Sequence, residues 1–77
     1  METMNIRSIL SEREYEVMEM VSCGMLNKEI ADKLKCEETT VKKHLQHIFP
    51  KLEVQNRTEA SIKFLRLSGM LNHVNEN

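Results

Sequence analysis

A chain of 77 residues holds one small domain, because at this size only about 60% of the unfolded surface can be buried. Its 40% hydrophobic and 30% charged residues exclude an intrinsically disordered chain, and the net charge of −1 excludes a uniformly basic nucleic-acid coat, leaving charge distribution to attract a polyanion. Cys23 and Cys36 are too few for a secreted disulfide framework and read as buried apolar residues of a reducing cytoplasm, while no apolar run reaches the ~20 residues of a membrane span or has the flanks of a signal peptide.

Residues 1–9 show no clear period and read as a flexible lead-in. Ser11 with Glu14 fits a capping box, in which the hydroxyl and the carboxylate each satisfy an orphan N–H. A first helix over about Glu12 to Ser22 follows. Glu12 and Glu14 suit its positive end, Leu10 staples its start, and Val17, Met18 and Val21 face inward. Gly24 is the natural residue to end it, because it is free to adopt positive φ.

Asn27 reads as the N-cap of a second helix over about Lys28 to Leu34. Ile30, Ala31 and Leu34 form its apolar face, and the small Ala31 lets the next helix cross closely. Lys35 and Cys36 make the turn. The third helix begins near Glu38, with Val41, Leu45 and Ile48 on one stripe and His44 at its edge. Lys42, Lys43, Gln46 and His47 fall off that stripe. A charged outer face alone is the norm for a solvated helix. Two short helices joined by a short turn, the second amphipathic, instead describe a helix-turn-helix, whose exposed donors can meet acceptors in the major groove.

Pro50 removes an N–H and crowds the Gln46 carbonyl. The third helix is expected to bend there and continue to Leu52, which prolongs the apolar stripe. Asn56 with Glu59 is a second capping pattern, opening a fourth helix over Arg57 to Leu67 or Ser68. Ala60, Ile62, Phe64, Leu65 and Leu67 make this helix apolar on more than one side, which implies a partner. Gly69 can end it, Met70 and Leu71 are expected to fold back, and residues 72–77 read as a disordered tail. The expected fold is an all-α, four-helix helix-turn-helix bundle over residues 10–71.

Two rival chemistries fail on residue type. His44 and His47 lack the further spaced ligands of a metal site. No nucleophile–base pair, phosphate loop or paired carboxylates point to an enzyme, and so small a bundle has little room for a pocket of ~300 Å³. Neither a metal nor another cofactor is expected.

The ordered motifs Leu10-Ser11-Glu12-Arg13-Glu14, Gly24, Asn27-Lys28-Glu29-Ile30-Ala31, Thr40-Val41-Lys42-Lys43-His44, Lys51-Leu52 and Arg57-Thr58 with Ala60 resemble the LuxR-type (NarL/FixJ/GerE-like) helix-turn-helix domain. This is the output domain of many bacterial response regulators. The resemblance covers Leu10 to about Leu71. It implies sequence-specific binding of double-stranded DNA for transcription regulation in the cytoplasm, with the third helix in the major groove. By position it places Lys42, Lys43 and Gln46 at base edges, Thr39 at the rim, and Asn27, Lys28, Thr40 and His47 near phosphates. It also implies a homodimer through the fourth helix (residues 57–68), leaves room for RNA polymerase as a further partner, and involves no membrane. Four residues depart from the family pattern. Cys36 stands for Ile or Val, Glu37 for a Ser or Thr cap, Pro50 for a helix-continuing residue and Glu53 for the turn glycine.

The alternative is a protein-interaction module of the same fold with little DNA binding. The acidic residues Glu2, Glu12, Glu14, Glu16 and Glu19 favour it. Against it, residues 28–51 hold six lysines and four acids, with Lys42, Lys43 and Lys51 on the third helix beside two histidines.

Overall fold

Residues 5–69 are described by a computed structural model. Among them five helices and no strand occur: α1 (Ile6–Ile9), α2 (Glu12–Ser22), α3 (Asn27–Leu34), α4 (Glu38–Leu52) and α5 (Arg57–Leu67). The four expected helices are α2 to α5, and the fold is all-α. The disordered tail, the fold-back of Met70 and Leu71 and the start of the lead-in lie outside the described residues.

The lead-in differs from its sequence reading. Ile6–Ile9 forms one helical turn, capped by Asn5, whose side chain accepts from the Arg7 N–H. Its order comes from tertiary partners. Ile6 is buried in the core, and the Arg7 guanidinium lies 4.0 Å from the centroid of the Tyr15 ring, a cation–π placement. Tyr15 in turn meets Phe64 edge-on, with centroids 5.1 Å apart. One turn with a single apolar side chain in its core-facing position has no period to detect.

α2 begins as its capping box requires. The Glu14 N–H donates to Ser11 Oγ at 3.1 Å, and the Ser11 N–H donates to Glu14 Oε1 at 2.9 Å. α2 packs on α5, and α3 packs on α4. Between them lie Val17, Met18, Ile30, Val41, Ile48, Ala60 and Phe64, each with no exposed surface. The stripes read from helical spacing therefore close on one core.

α2, α3 and α4 end alike. In each, a left-handed residue follows the helix, second past α2 and first past α3 and α4, and the next N–H reaches back to close the last turn. Gly24 has φ of +91°, whereas Lys35 and Glu53 have φ of 57° and 59°. The closing bonds are Met25 N–H to the Met20 carbonyl, Cys36 N–H to that of Ala31, and Val54 N–H to that of Phe49. Met25, Cys36 and Val54 are each partly buried against the core. That contact holds a turn which at Lys35 and Glu53 costs about 1–2 kcal/mol of left-handed strain. It explains how Glu53 stands where the family prefers glycine.

α4 runs through Pro50 to Leu52. Continuation is favoured by the complete burial of Leu52, at 1% exposure, and Pro50 itself is on the exposed side. The cysteine expectation is corrected: Cys23 is exposed and Cys36 half-buried. Cys23 falls one residue past the last turn of α2, outside the stripe set by Val17 and Val21.

Lys51 does not join the basic surface expected of it. Its Nζ donates to Glu14 Oε1 at 2.8 Å, tying the end of α4 to the start of α2. Burial pushes the Glu14 carboxyl up, but the Lys51 hydrogen bond, the Ser11 N–H and the ammonium charge outweigh it, and the group titrates below its ordinary value. A lowered carboxyl means that the unfolded chain binds the proton first as pH falls. The stabilisation is therefore complete above the ordinary carboxylate range and lost as pH drops through the folded value. Because the Lys51 side chain is 43% exposed, solvent screens the pair, and the cap contributes most. Glu14→Ala should cost about 1–2 kcal/mol at neutral pH and flatten the acid loss. Melting curves at about pH 7 and about pH 3 check this; parallel losses in variant and parent would refute it.

Candidate nucleic-acid interface

α4 presents the candidate surface because burying Val41, Leu45 and Ile48 turns the intervening positions outward. Thr39, Thr40, Lys42, Lys43, Gln46 and His47 are all exposed, and His44 is half-buried at the edge of the stripe. No side chain among the described residues pairs with Lys42 or Lys43. Lys51 differs: the same residue type on the same helix is neutralised one residue before the end of α4, but remains available near its start.

Glu37 caps α4 with extended backbone but makes no side-chain hydrogen bond. The Glu38 and Thr39 N–H groups have no partner among the described residues, whereas the Thr40 N–H donates to the Glu37 carbonyl at 2.9 Å. An acid at this corner reduces its attraction for an anion, as the departure from a Ser or Thr cap suggested.

At α3 one local expectation is corrected. Leu26, not Asn27, is the N-cap, and its N–H donates to Glu29 Oε1 at 2.7 Å. Leucine has no side-chain acceptor, so only this half of a capping box forms. Asn27 is the first helical residue, half-buried, and its Oδ1 accepts from Arg57 Nη1 at 2.7 Å. The other arm of that guanidinium, Nη2, donates to the Met25 carbonyl at 2.6 Å. Lys28, the next residue, is exposed. Arg57 was legible as the opening of the fourth helix and as part of a family motif, without a role of its own. Its reach to a partner 30 residues away leaves no trace in local spacing.

α5 opens as its capping pattern indicates, with the Glu59 N–H donating to Asn56 Oδ1 at 2.9 Å. Glu59 Oε1 accepts from the N–H of Gln55, one residue earlier than the capping box places it. Ala60 and Phe64 point into the core, while Ile62 is 44% exposed and Leu65 and Leu67 are half-buried. A second apolar side of α5 is therefore present. None of the described helices is long and apolar enough to cross a membrane.

The model of bacterial regulatory proteins of the luxR family matches residues 8–64. Transcriptional regulatory protein LnrK of Bacillus subtilis is 49% identical over 57 residues, which are 74% of this chain and 26% of that protein. The nitrate/nitrite response regulator protein NarP of Escherichia coli is 42% identical over 62 residues, 80% of this chain and 29% of NarP. The HTH-type transcriptional regulator AlkS of Alcanivorax borkumensis is 43% identical over 67 residues, 87% of this chain and 8% of AlkS. The chain spans less than a third of each of these relatives. Helix order, the α3–α4 pair with its outward basic face, and the family match over residues 8–64 agree: this chain belongs to the LuxR family of bacterial regulatory proteins.

Proposed function

We propose that this chain is the DNA-binding part of a bacterial transcription regulator acting in the cytoplasm. α4 enters the major groove of double-stranded DNA. Lys42 and Lys43 donate to guanine O6 and N7, which only accept, and Gln46 pairs with adenine N6 and N7, where its amide can both donate and accept. Thr39 lies at the rim. Asn27, Lys28, Thr40 and His47 contact phosphates and set the register. Two copies bind adjacent half-sites, meeting through the second apolar side of α5 (residues 57–68), and RNA polymerase is a further partner of the assembled regulator.

The observation that carries this reading is the exposed pair Lys42 and Lys43 on the outward face of α4, without a side-chain partner among the described residues, beside the buried stripe that fixes that face. Titration of a labelled duplex, at two salt concentrations and with a scrambled duplex as reference, tests it. Lys28→Ala should weaken both duplexes equally and lower the salt slope by about one, as loss of a phosphate contact does. No binding to either duplex at low salt would refute the reading in favour of a protein-interaction module. A strictly monomeric complex on a duplex with two half-sites would refute the dimer alone.

A further inference from the structure

We infer that Arg57 is a positioning residue for DNA binding: it locks the Asn27 amide so that Nδ2, a donor, is offered to a backbone phosphate. This rests on the DNA-binding reading above and assigns a role to a residue outside the helix-turn-helix.

A guanidinium carries donors only. The atom of Asn27 that faces Arg57 Nη1 at 2.7 Å must therefore be the oxygen, and the amide cannot be turned over without setting donor against donor. The second bond, from Nη2 to the Met25 carbonyl, fixes the fork on two points. It holds the segment leading into α3 against the start of α5. Asn27 is free to serve in this way because Leu26 occupies the cap position, so the amide oxygen is not taken by its own helix.

With Oδ1 engaged, Nδ2 is directed away from the guanidinium. It has no partner among the described residues, where Ser22 Oγ is the only buried side-chain polar atom left unpaired. Nδ2 is thus open to solvent, next to the exposed Lys28. Phosphate oxygens only accept, so an amide presenting its donor matches them, and one presenting its oxygen repels them. Both acceptors of Arg57 are neutral, so its positive charge also remains to favour an anion at this edge.

Three variants of the 77-residue chain test the inference, with binding to a random-sequence duplex at low salt and the melting temperature measured together. Asn27→Asp retains an oxygen for Arg57 and adds an ion pair, so its melting temperature should match or exceed that of the parent. Its outward atom becomes an acceptor, and affinity should fall on the order of tenfold or more. Arg57→Ala should lower the affinity of the folded fraction in the parent background. In an Asn27→Ala background most of that loss should vanish, since the residue acts through the amide. A purely structural Arg57 would change melting without this coupling. Unchanged affinity in Asn27→Asp, or losses at Arg57 and Asn27 that simply add, would overturn the inference while the parent still binds. Failure of the parent to bind the duplex would overturn the DNA-binding reading and this inference with it.

Discussion

Replacing Val41 by Asp should strip the chain of much of its stability. Val41 has no exposed surface and lies where α4 meets the rest of the core. A carboxylate there has no described partner, and an uncompensated buried charge costs about 3–5 kcal/mol. A chain of this length has roughly 4–12 kcal/mol of total stability, so the loss consumes much of it. Val41→Ala should cost less, about 2 kcal/mol, because it removes two methyl groups and adds no charge. Lys42→Asp, one residue along but exposed, should change stability by no more than about 0.5 kcal/mol, yet should abolish attraction for DNA. Urea denaturation followed by circular dichroism separates the three. A Val41→Asp protein that melts like its parent would refute the assignment of the buried face, and with it the outward direction of the lysines.

Loss of either outward lysine should act on recognition and spare the fold. Lys42→Ala or Lys43→Ala should cost roughly 1–3 kcal/mol on the preferred duplex, and less on a scrambled one. The difference between the two duplexes is the informative quantity. A lysine held only against phosphate would lose equally on both, as expected for Lys28. Melting temperatures should stay near the parent value, because neither side chain has a described partner whose loss would cost stability. If both lysines can be removed with affinity and sequence preference intact, α4 does not read DNA, and the interaction-module reading takes its place.

These expectations depend on different levels of the molecule. Local chemistry was sufficient at several helix ends, where the partner lay within one helical turn. The capping box of Ser11 and Glu14 formed as the spacing required. Asn56 capped α5, and Gly24 took the left-handed turn. The period of Val41, Leu45 and Ile48 identified the inner face of α4, and so the outer one. Such signals are legible because hydrogen-bond geometry at a helix end and the 3.6-residue period are properties of the backbone itself.

Where the decisive partner is distant in sequence, local spacing carries no signal. Ile6–Ile9 became helical because Ile6 enters the core and Arg7 stacks on Tyr15. Lys51 left the basic surface because Glu14 is within 2.8 Å of it. Asn27 lost its capping role to Leu26 and gained a bond from Arg57. Helix-end signals, the helical period and the order of the motifs specified four helices, their inner faces and the family. Packing of the helices against one another sets which charged and polar groups on them remain available to a ligand. The physical reason is that a side-chain ion pair or hydrogen bond depends on distance in space, and two helices joined by a turn can bring together residues whose separation along the chain has no period.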